Sequence, residues 1–522
     1  MTHTYGLCIQ LNKRLTSLFS CFCGSGDFIL FLGIDLGLGS LKASLVDGVG
    51  ALMADASCGV ATQNPAPERA EQQPADWERA MVEALRTLGE RADLSKVEAI
   101  SFTAGTHSSV LLGADGVVLR PVIMWSDQRA GAEAEELNRR IQDRLMAIGH
   151  NRAAPTWSIA PLYWIRRKEP QIAERVRTVL FAKDWLRARL TGDRLTDRID
   201  AQGTLMLDVD RLQWSQELCD AIGWNIDTLP EIRDPTDLAG HVLPDAARRY
   251  GLRAGTPVHV GTCDTAAEVW SAGAVRPGDT VVKLASAGVV NVVCERPTRA
   301  PDVPSKGFVV PGLSYALGAI NSCASGHKWL SELLLGRSAD GEAFSGLDTL
   351  ADRIAPGSDG LLFHPYLLGE RAPYWDPGLR ASFVGMTITH GRGHAVRAFY
   401  EGIAFALRDA ARPMRATGLT LGPAALIGGG AKSDLWAQVI ADVLGLPLRR
   451  PVHGDASYGA ALIAAVGAGA FANESEAIGR CVTFGPEIPP DPERAAIYDR
   501  LFDRYRRVKD LLTEINHEIS AG

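Results

Sequence analysis

The 522-residue sequence has no surplus of positive charge: 54 lysines and arginines face 61 aspartates and glutamates, a net charge of −7. A nucleic-acid binder needs a basic footprint, and none is present. No run of 18 or more apolar residues occurs, so no segment reads as a membrane-spanning helix. Cysteines are few and scattered, nine in all. An odd, dispersed set excludes a disulfide framework and reads as reduced thiols in a cytoplasmic protein. Cys21 and Cys23 are the one close pair, and no second pair lies nearby to complete a zinc site. Neither GxGxxG nor the Walker A pattern occurs, which removes the two commonest glycine-rich nucleotide loops. With 46% hydrophobic, 22% charged and 7% aromatic residues, what remains is an ordinary globular composition.

The chain is too long for one core, which stops growing at about 250–300 residues, so two large domains are expected. Residues 1–27 contain Lys13-Arg14 and a short, mildly apolar run, the ingredients of a weak signal peptide. The next strong apolar run, 28–34, leads straight into the turn at 35–40, and cleavage there would remove that turn. Residues 1–27 are therefore expected to be an unstructured extension. Beyond them, strand-like runs alternate with amphipathic stretches, which predicts an α/β protein. Runs at 28–35 and 42–47 flank a glycine-rich turn and predict a β-hairpin. After Pro74, the spacing of Trp77, Met81, Leu85 and Leu88 predicts a helix over 75–89. Strands are predicted at 97–103 and 110–112, helical structure through most of 138–189, and a short helix after Pro244.

One pattern recurs. Asp35-Leu36-Gly37-Leu38-Gly39-Ser40 is a small-residue turn between apolar strands, and Ala285-Ser286-Ala287-Gly288 sits in the same setting about 250 residues later. The recurrence suggests duplicated domains facing each other across a cleft; two unrelated hairpins are the alternative. Pro277-Gly278 marks a boundary, giving domains at 28–275 and 276–522.

Phosphoryl transfer requires a phosphate cradle, a Mg²⁺ ligand and a base for the acceptor hydroxyl. The first turn offers bare backbone N–H groups at Gly37, Gly39 and Ser40, a cation at Lys42, and Asp35 as a metal ligand. A plain hairpin with Asp35 bonded to its own backbone is equally compatible. Asp264 follows a predicted strand at 257–261 and opens an Ala-rich helix, the place of an ionised base or of an ordinary N-cap. Gly428-Gly429-Gly430-Ala431-Lys432-Ser433 links a strand at 424–427 to a helix at 434–444, a geometry suited to a nucleotide lying against backbone. Thr106-His107 and Trp125-Ser126-Asp127-Gln128-Arg129 follow strands, where open α/β sheets bind ligands. Either group also reads as packed or surface residues.

Taken in order from about residue 28 to 506, these segments resemble the FGGY carbohydrate kinases, within the actin/hexokinase-type ATPase fold. The resemblance is carried by residues 34–42, by Glu71-Gln72-Gln73-Pro74-Ala75-Asp76-Trp77, by Leu119-Arg120-Pro121 through Trp125-Ser126-Asp127-Gln128-Arg129, and by Lys183-Asp184-Trp185-Leu186. Thr196-Asp197, Asp200-Ala201-Gln202-Gly203-Thr204, Gly369-Glu370-Arg371-Ala372-Pro373, Phe383-Val384-Gly385-Met386 and residues 428–433 continue it. It implies two ribonuclease-H-like domains around a central cleft and an ATP- and Mg²⁺-dependent transfer to a small sugar. Nucleic acid and membrane are not implied as partners, and a homodimer is allowed. By position, it implies Asp264 as catalytic base and Asp35 as metal ligand. ATP would meet Gly37, Gly39, Ser40, Lys42, Ser286, Ala287, Gly288, Gly429, Gly430, Ala431 and Ser433. Thr106, His107, Trp125, Asp127 and Thr265 would meet the sugar. Three departures stand out: Leu38 replaces the usual Thr, residues 285–288 replace G-T-S-G, and Ala395 replaces a larger apolar residue. Gly105-Thr106-His107-Ser108 resembles the xylulokinase pattern in keeping its His. D-xylulose is thus the first expected acceptor, with gluconate or another ketopentose or polyol as alternatives. The same fold also serves ATP-binding regulatory proteins without sugar turnover, a reading that the altered phosphate turns favour.

Overall fold

The computed structural model describes residues 29–336 and 341–521. The expected extension at 1–27 and the Cys21/Cys23 pair lie outside the described residues.

The first sheet is built from β1 (Leu30–Leu36), β2 (Ser40–Asp47), β3 (Leu52–Gly59), β4 (Val97–Ala104), β5 (Leu238–His241) and β6 (Pro257–His259), in the order β5-β6-β4-β1-β2-β3, and a short strand, Thr262–Cys263, also pairs with β4. β1, β2 and β3 form an antiparallel meander, while β4 runs parallel to β1 and β6 parallel to β4. The predicted hairpin is β1–β2. The predicted helix is α1 (Pro74–Gly89), which starts with proline in its first turn and buries Trp77, Met81, Leu85 and Leu88, as its spacing requires. Residues 138–189 are mostly helical, but a strand (Thr178–Phe181) interrupts them. Its four residues are all buried, so no alternation betrays it, and a short apolar run cannot be told from a buried helix by periodicity.

A second sheet follows α2 (Asp264–Ser271). It comprises β7 (Thr280–Leu284), β8 (Gly288–Cys294), β9 (Ser305–Gly307), β10 (Ser314–Ile320), β11 (Ala424–Ile427) and β12 (Leu448–Arg449), in the order β9-β10-β8-β7-β11-β12. Here β7, β8 and β10 form the antiparallel meander, and β11 and β12 continue parallel to β7. Strand by strand, β10-β8-β7-β11-β12 repeats β3-β2-β1-β4-β6. The duplication suggested by the two turns therefore extends to whole sheets. α3 (Arg392–Ala416) and α4 (Asp434–Leu444) bury their apolar faces against the second sheet.

The repeat includes the helix after the fifth strand of each sheet: α2 in the first half and α5 (Ala456–Gly467) in the second. These two helices pack on each other, and α5 lies on β1 and β4 of the first sheet. One continuous core results, containing Phe31 and Ala99 from the first sheet, Val281, Val293 and Ile427 from the second, Ala266 and Trp270 from α2, and Leu462 and Ala465 from α5. The contact explains Gly33: a Cβ there would stand 1.9 Å from the Ser457 carbonyl oxygen and 2.3 Å from the Ala461 nitrogen. Since side chains on a strand alternate in direction, Asp35 emerges on the same face as Gly33, toward the N-terminus of α5.

Candidate active site

Asp264 is the first residue of α2, and Cys263 occupies the cap position without a side-chain cap bond. Asp264 is therefore not an ordinary N-cap. Its Oδ1 accepts from the Thr265 backbone N–H at 2.5 Å and from the Thr265 hydroxyl at 3.1 Å. Oδ2 lies 3.8 Å from the point where a Cβ on Gly105 would stand, beside the indole edge of Trp125, which comes within 3.0 Å of the same point. One carboxylate oxygen is held and the other faces the space between residues 105 and 125.

Around it runs a line of charge assembled from both halves. Asp35 accepts from the Thr103 hydroxyl at 2.9 Å. Desolvation, then repulsion from Asp264, Glu268 and Asp455, push its carboxyl well above the usual range. Lys283 on β7 forms an ion pair with Glu268 on α2 at 2.5 Å. Burial works against the Lys283 charge, but Glu268 and then Asp264 outweigh it and raise its pKa. Asp455 caps α5 through the Tyr458 N–H and binds Lys42 at 2.7 Å, and Asp55 lies 3.6 Å from the same ammonium. Lys42, expected at the phosphates, thus ties β2 to the start of α5.

A cavity of about 380 Å³ opens between the halves, within the range of small-molecule sites. Thr106, His107, Trp125, Asp264, Thr265, Ser286 and Ala287 line it, together with Lys283. A larger surface groove of about 610 Å³ under Cys58 and Arg79 holds none of these residues. His107 adopts a left-handed backbone with φ +75°. Its Nδ1 lies 2.6 Å from the Gly203 carbonyl oxygen, which can only accept, so Nδ1 carries the hydrogen and Nε2 presents a lone pair. Desolvation and then the charge of Lys306 hold its pKa well below the ordinary imidazole value, so the ring is neutral. The helix Arg198–Gly203 that supplies this carbonyl is capped by Asp197, which also accepts from the Thr262 hydroxyl at 2.9 Å and pairs with buried Lys183 at 2.9 Å. The polar segments at 183–187 and 196–204 thus form a rigid ionic floor beneath one end of the cavity.

Other expected residues lie elsewhere. Asp127 does not line the cavity: it is buried, accepts from the Ala70 N–H at 2.6 Å and pairs with Arg129 at 2.7 Å, so its carboxylate is taken up within the fold. Gly37, Gly39 and Ser40 are outside the cavity lining, with Gly39 and Ser40 exposed. Residues 428–433 pack directly on the end of β7. Gly428, at φ +93°, brings a would-be Cβ within 2.6 Å of the Leu284 carbonyl oxygen, and a Cβ on Gly430 would meet Leu284 and Trp436 at 2.8 and 2.9 Å. Of the three glycines only Gly429 faces open space. Ala431 is buried, and Ser433 caps α4 by accepting from the Trp436 N–H at 3.0 Å.

Several lining residues carry no sequence signal that singles them out as such: Lys283, Asn291, Lys306, Tyr315, Arg371 and Trp375. Arg371 is the partial exception, since it lies inside the 369–373 segment that carries the family resemblance. Asp455, just before the Ala-rich α5, repeats the pattern of Asp264 before α2, and that repeat could have revealed it. Lys306 sits in a three-residue strand with no motif around it.

A model of the N-terminal domain of the FGGY family of carbohydrate kinases matches residues 30–270, and one of its C-terminal domain matches residues 283–468. The chain is 32% identical over 498 residues to a xylulose kinase of Lactococcus lactis subsp. lactis, covering 94% of this chain and 98% of that protein. Among solved structures, xylulose kinase from Rhodospirillum rubrum superposes with a TM-score of 0.86 at 31% identity, covering 94% of this chain and 100% of that one. Gluconate kinase from Lactobacillus acidophilus gives a TM-score of 0.86 at 26% identity, over 93% of this chain and 98% of that one.

Proposed function

The chain belongs to the FGGY family of carbohydrate kinases, and on that premise we propose that it moves the γ-phosphoryl group of ATP onto a primary hydroxyl of an open-chain sugar bound in the cavity between its halves. The observation that carries this reading is the split role of the Asp264 carboxylate, with Oδ1 fixed by Thr265 and Oδ2 turned toward Gly105 and Trp125. Oδ2 takes the proton of the acceptor hydroxyl as that oxygen attacks phosphorus. The 285–287 turn and Lys283 line the same cavity. There the backbone N–H groups of Ser286 and Ala287 and the lysine's ammonium steady the charge on the transferring group, the Ala285 N–H being donated to the Ala287 carbonyl. Gly429, the open glycine of its turn, is assigned to the nucleotide. With ATP as donor, the reaction is assigned to the cytoplasm.

Family kinases use ATP, and Mg²⁺ accompanies its phosphates in this chemistry. The residues fit: Asp35 is a desolvated carboxylate in the field of three further acids, and a divalent cation relieves that field. Among the described residues no group of three or more His, Cys, Asp or Glu forms a cage of its own. Asp35, together with the nucleotide's phosphates and water, would hold the ion, as Mg²⁺ prefers. When bound it neutralises phosphate charge.

The relatives' names bring two acceptors, xylulose and gluconate; sequence identity alone ranks D-xylulose first, and the charge of the cavity lining is what separates the two. ADP release measured against a panel of sugars tests the reading: turnover should be stimulated strongly by one acceptor. Slow ATP hydrolysis indifferent to every sugar would refute it.

A further inference from the structure

Two lysines line the cavity, Lys283 and Lys306, and a third, Lys183, lies buried in the ionic floor. Lys183 is held by Asp184, by Asp197 at 2.9 Å and by Asp200 at 3.4 Å, and Lys283 by Glu268 at 2.5 Å. Lys306 differs. It lines the cavity from β9 and is only 4% exposed. Its ammonium meets two neutral groups, the Thr106 hydroxyl at 3.3 Å and the bare Nε2 of His107 at 3.4 Å, and lies over the face of Trp157 at 5.2 Å. Among the described residues no carboxylate comes within ion-pair distance of it. Asp200 feels the Lys306 charge but is in contact with Lys183 instead.

An unpaired buried charge is costly, and folds keep one mainly where something else completes it. Here the missing counter-charge belongs on the cavity side. Two of the three ammonium donors are engaged by neutral partners, leaving one for an incoming anion. A single lysine flanked by a threonine and a neutral histidine suits the compact charge of a carboxylate. A phosphate dianion calls for a richer donor set.

We propose that the sugar this site is built for is a polyhydroxy acid, with its carboxylate seated on Lys306 beside Thr106 and His107. This rests on the kinase reading, with the sugar's primary hydroxyl at Asp264, and it places sugar acids ahead of the neutral ketose. Lys306 is then the residue that sets specificity by charge.

The test compares kcat/KM of the full chain for D-gluconate and D-xylonate with that for D-xylulose, xylitol and sorbitol, in the wild type, Lys306→Met and Lys306→Gln. An acid should be preferred at least tenfold over its neutral counterparts. A hydrogen bond to a charged group predicts that either variant lowers the acid-to-neutral ratio about ten- to a hundredfold. A wild type that prefers the neutral sugars overturns the proposal, and so does a variant that depresses both classes alike, as a structural lysine would. If no sugar of either charge stimulates ADP release, the kinase reading fails by itself. The seat is then judged by calorimetric titration with gluconate: binding abolished by Lys306→Met upholds it, and no binding to the wild type overturns it.

Discussion

Replacing Asp264 with asparagine isolates the chemical step from everything else the residue does. The asparagine carbonyl can accept both bonds now made to Oδ1, from the Thr265 N–H at 2.5 Å and its hydroxyl at 3.1 Å. The amide nitrogen takes the place of Oδ2, whose neighbours, Gly105 and the Trp125 edge, leave it room. No helix cap is lost, because the cap position belongs to Cys263. Folding stability should thus change by well under about 1 kcal/mol, the usual worth of a cap. The electrostatic effects oppose each other: removing the charge of Asp264 relieves its repulsion of Asp35 but takes away part of the field that supports the Lys283 ammonium. The barrier behaves differently. A positioned base contributes about 10²–10⁴-fold, equivalent to about 3–5 kcal/mol of transition-state energy. Asp264→Asn should therefore lower kcat by at least about a hundredfold, leave both KM values within a few-fold, and melt close to the wild-type temperature. Coupled ADP-release kinetics and a thermal melt on one preparation decide the matter. Retention of more than a tenth of wild-type kcat refutes the assignment of Asp264 as the base.

The glycines at 429 and 430 should separate cleanly. Gly429→Val, placed in open space, should raise KM for ATP without lowering the melting temperature, whereas Gly430→Ala, forced against Leu284 and Trp436, should lose about 1–3 kcal/mol of stability as overpacked sites do; equal melting temperatures would disprove the packing argument. His107→Ala should raise KM for the sugar more than KM for ATP, because the pocket loses a hydrogen-bonding partner; if neither KM moves, His107 is structural only. Burial pushes the Glu370 carboxyl up to about 8 from an ordinary 4.5. A raised carboxyl stabilises the fold fully below its unfolded pKa and loses that contribution as pH climbs through the folded value, so wild-type stability should fall between about pH 5 and 8, by at most about 1.4 kcal/mol per pH unit from this group. Glu370→Gln should flatten that fall, and parallel stability curves for the two proteins from pH 5 to 9 would count against it.

The parts of this protein written in local spacing are legible in the amino-acid sequence alone. The β1–β2 hairpin, α1 with its buried Trp77, the second hairpin and the strand-to-helix step at Asp264 each depend on residues within a few positions of one another. Partners far apart in sequence are not legible there. Lys283–Glu268, Lys42–Asp455 and Asp264–Gly105 join elements that only the closed fold brings together, and Lys306 carries no local pattern. Asp127 shows the opposite error. A polar residue after a strand looks like a ligand-binding group, but its oxygens serve Arg129 and Ala70. The triple glycine misleads in part for a related reason: Gly428 and Gly430 answer to backbone and core contacts with the neighbouring strand, and only Gly429 is open toward a ligand.

The placement of α5 bears on how the chain reaches its native state during synthesis. All strands of the first sheet have left the ribosome once residue 263 has emerged, but the helix that lies on β1 and β4 begins nearly two hundred residues later, at Ala456. Until then the Phe31–Gly33–Ala99 surface meets α2 but lacks the cover of α5, and the leading half is an incomplete core of the kind that chaperones bind. Closure comes from contacts of very large sequence separation, which form slowly. A nascent chain stalled between residues 275 and 455 should therefore be a chaperone client whatever its sequence of domains suggests, and release of α5 is the event that turns two half-built sheets into one cooperative unit.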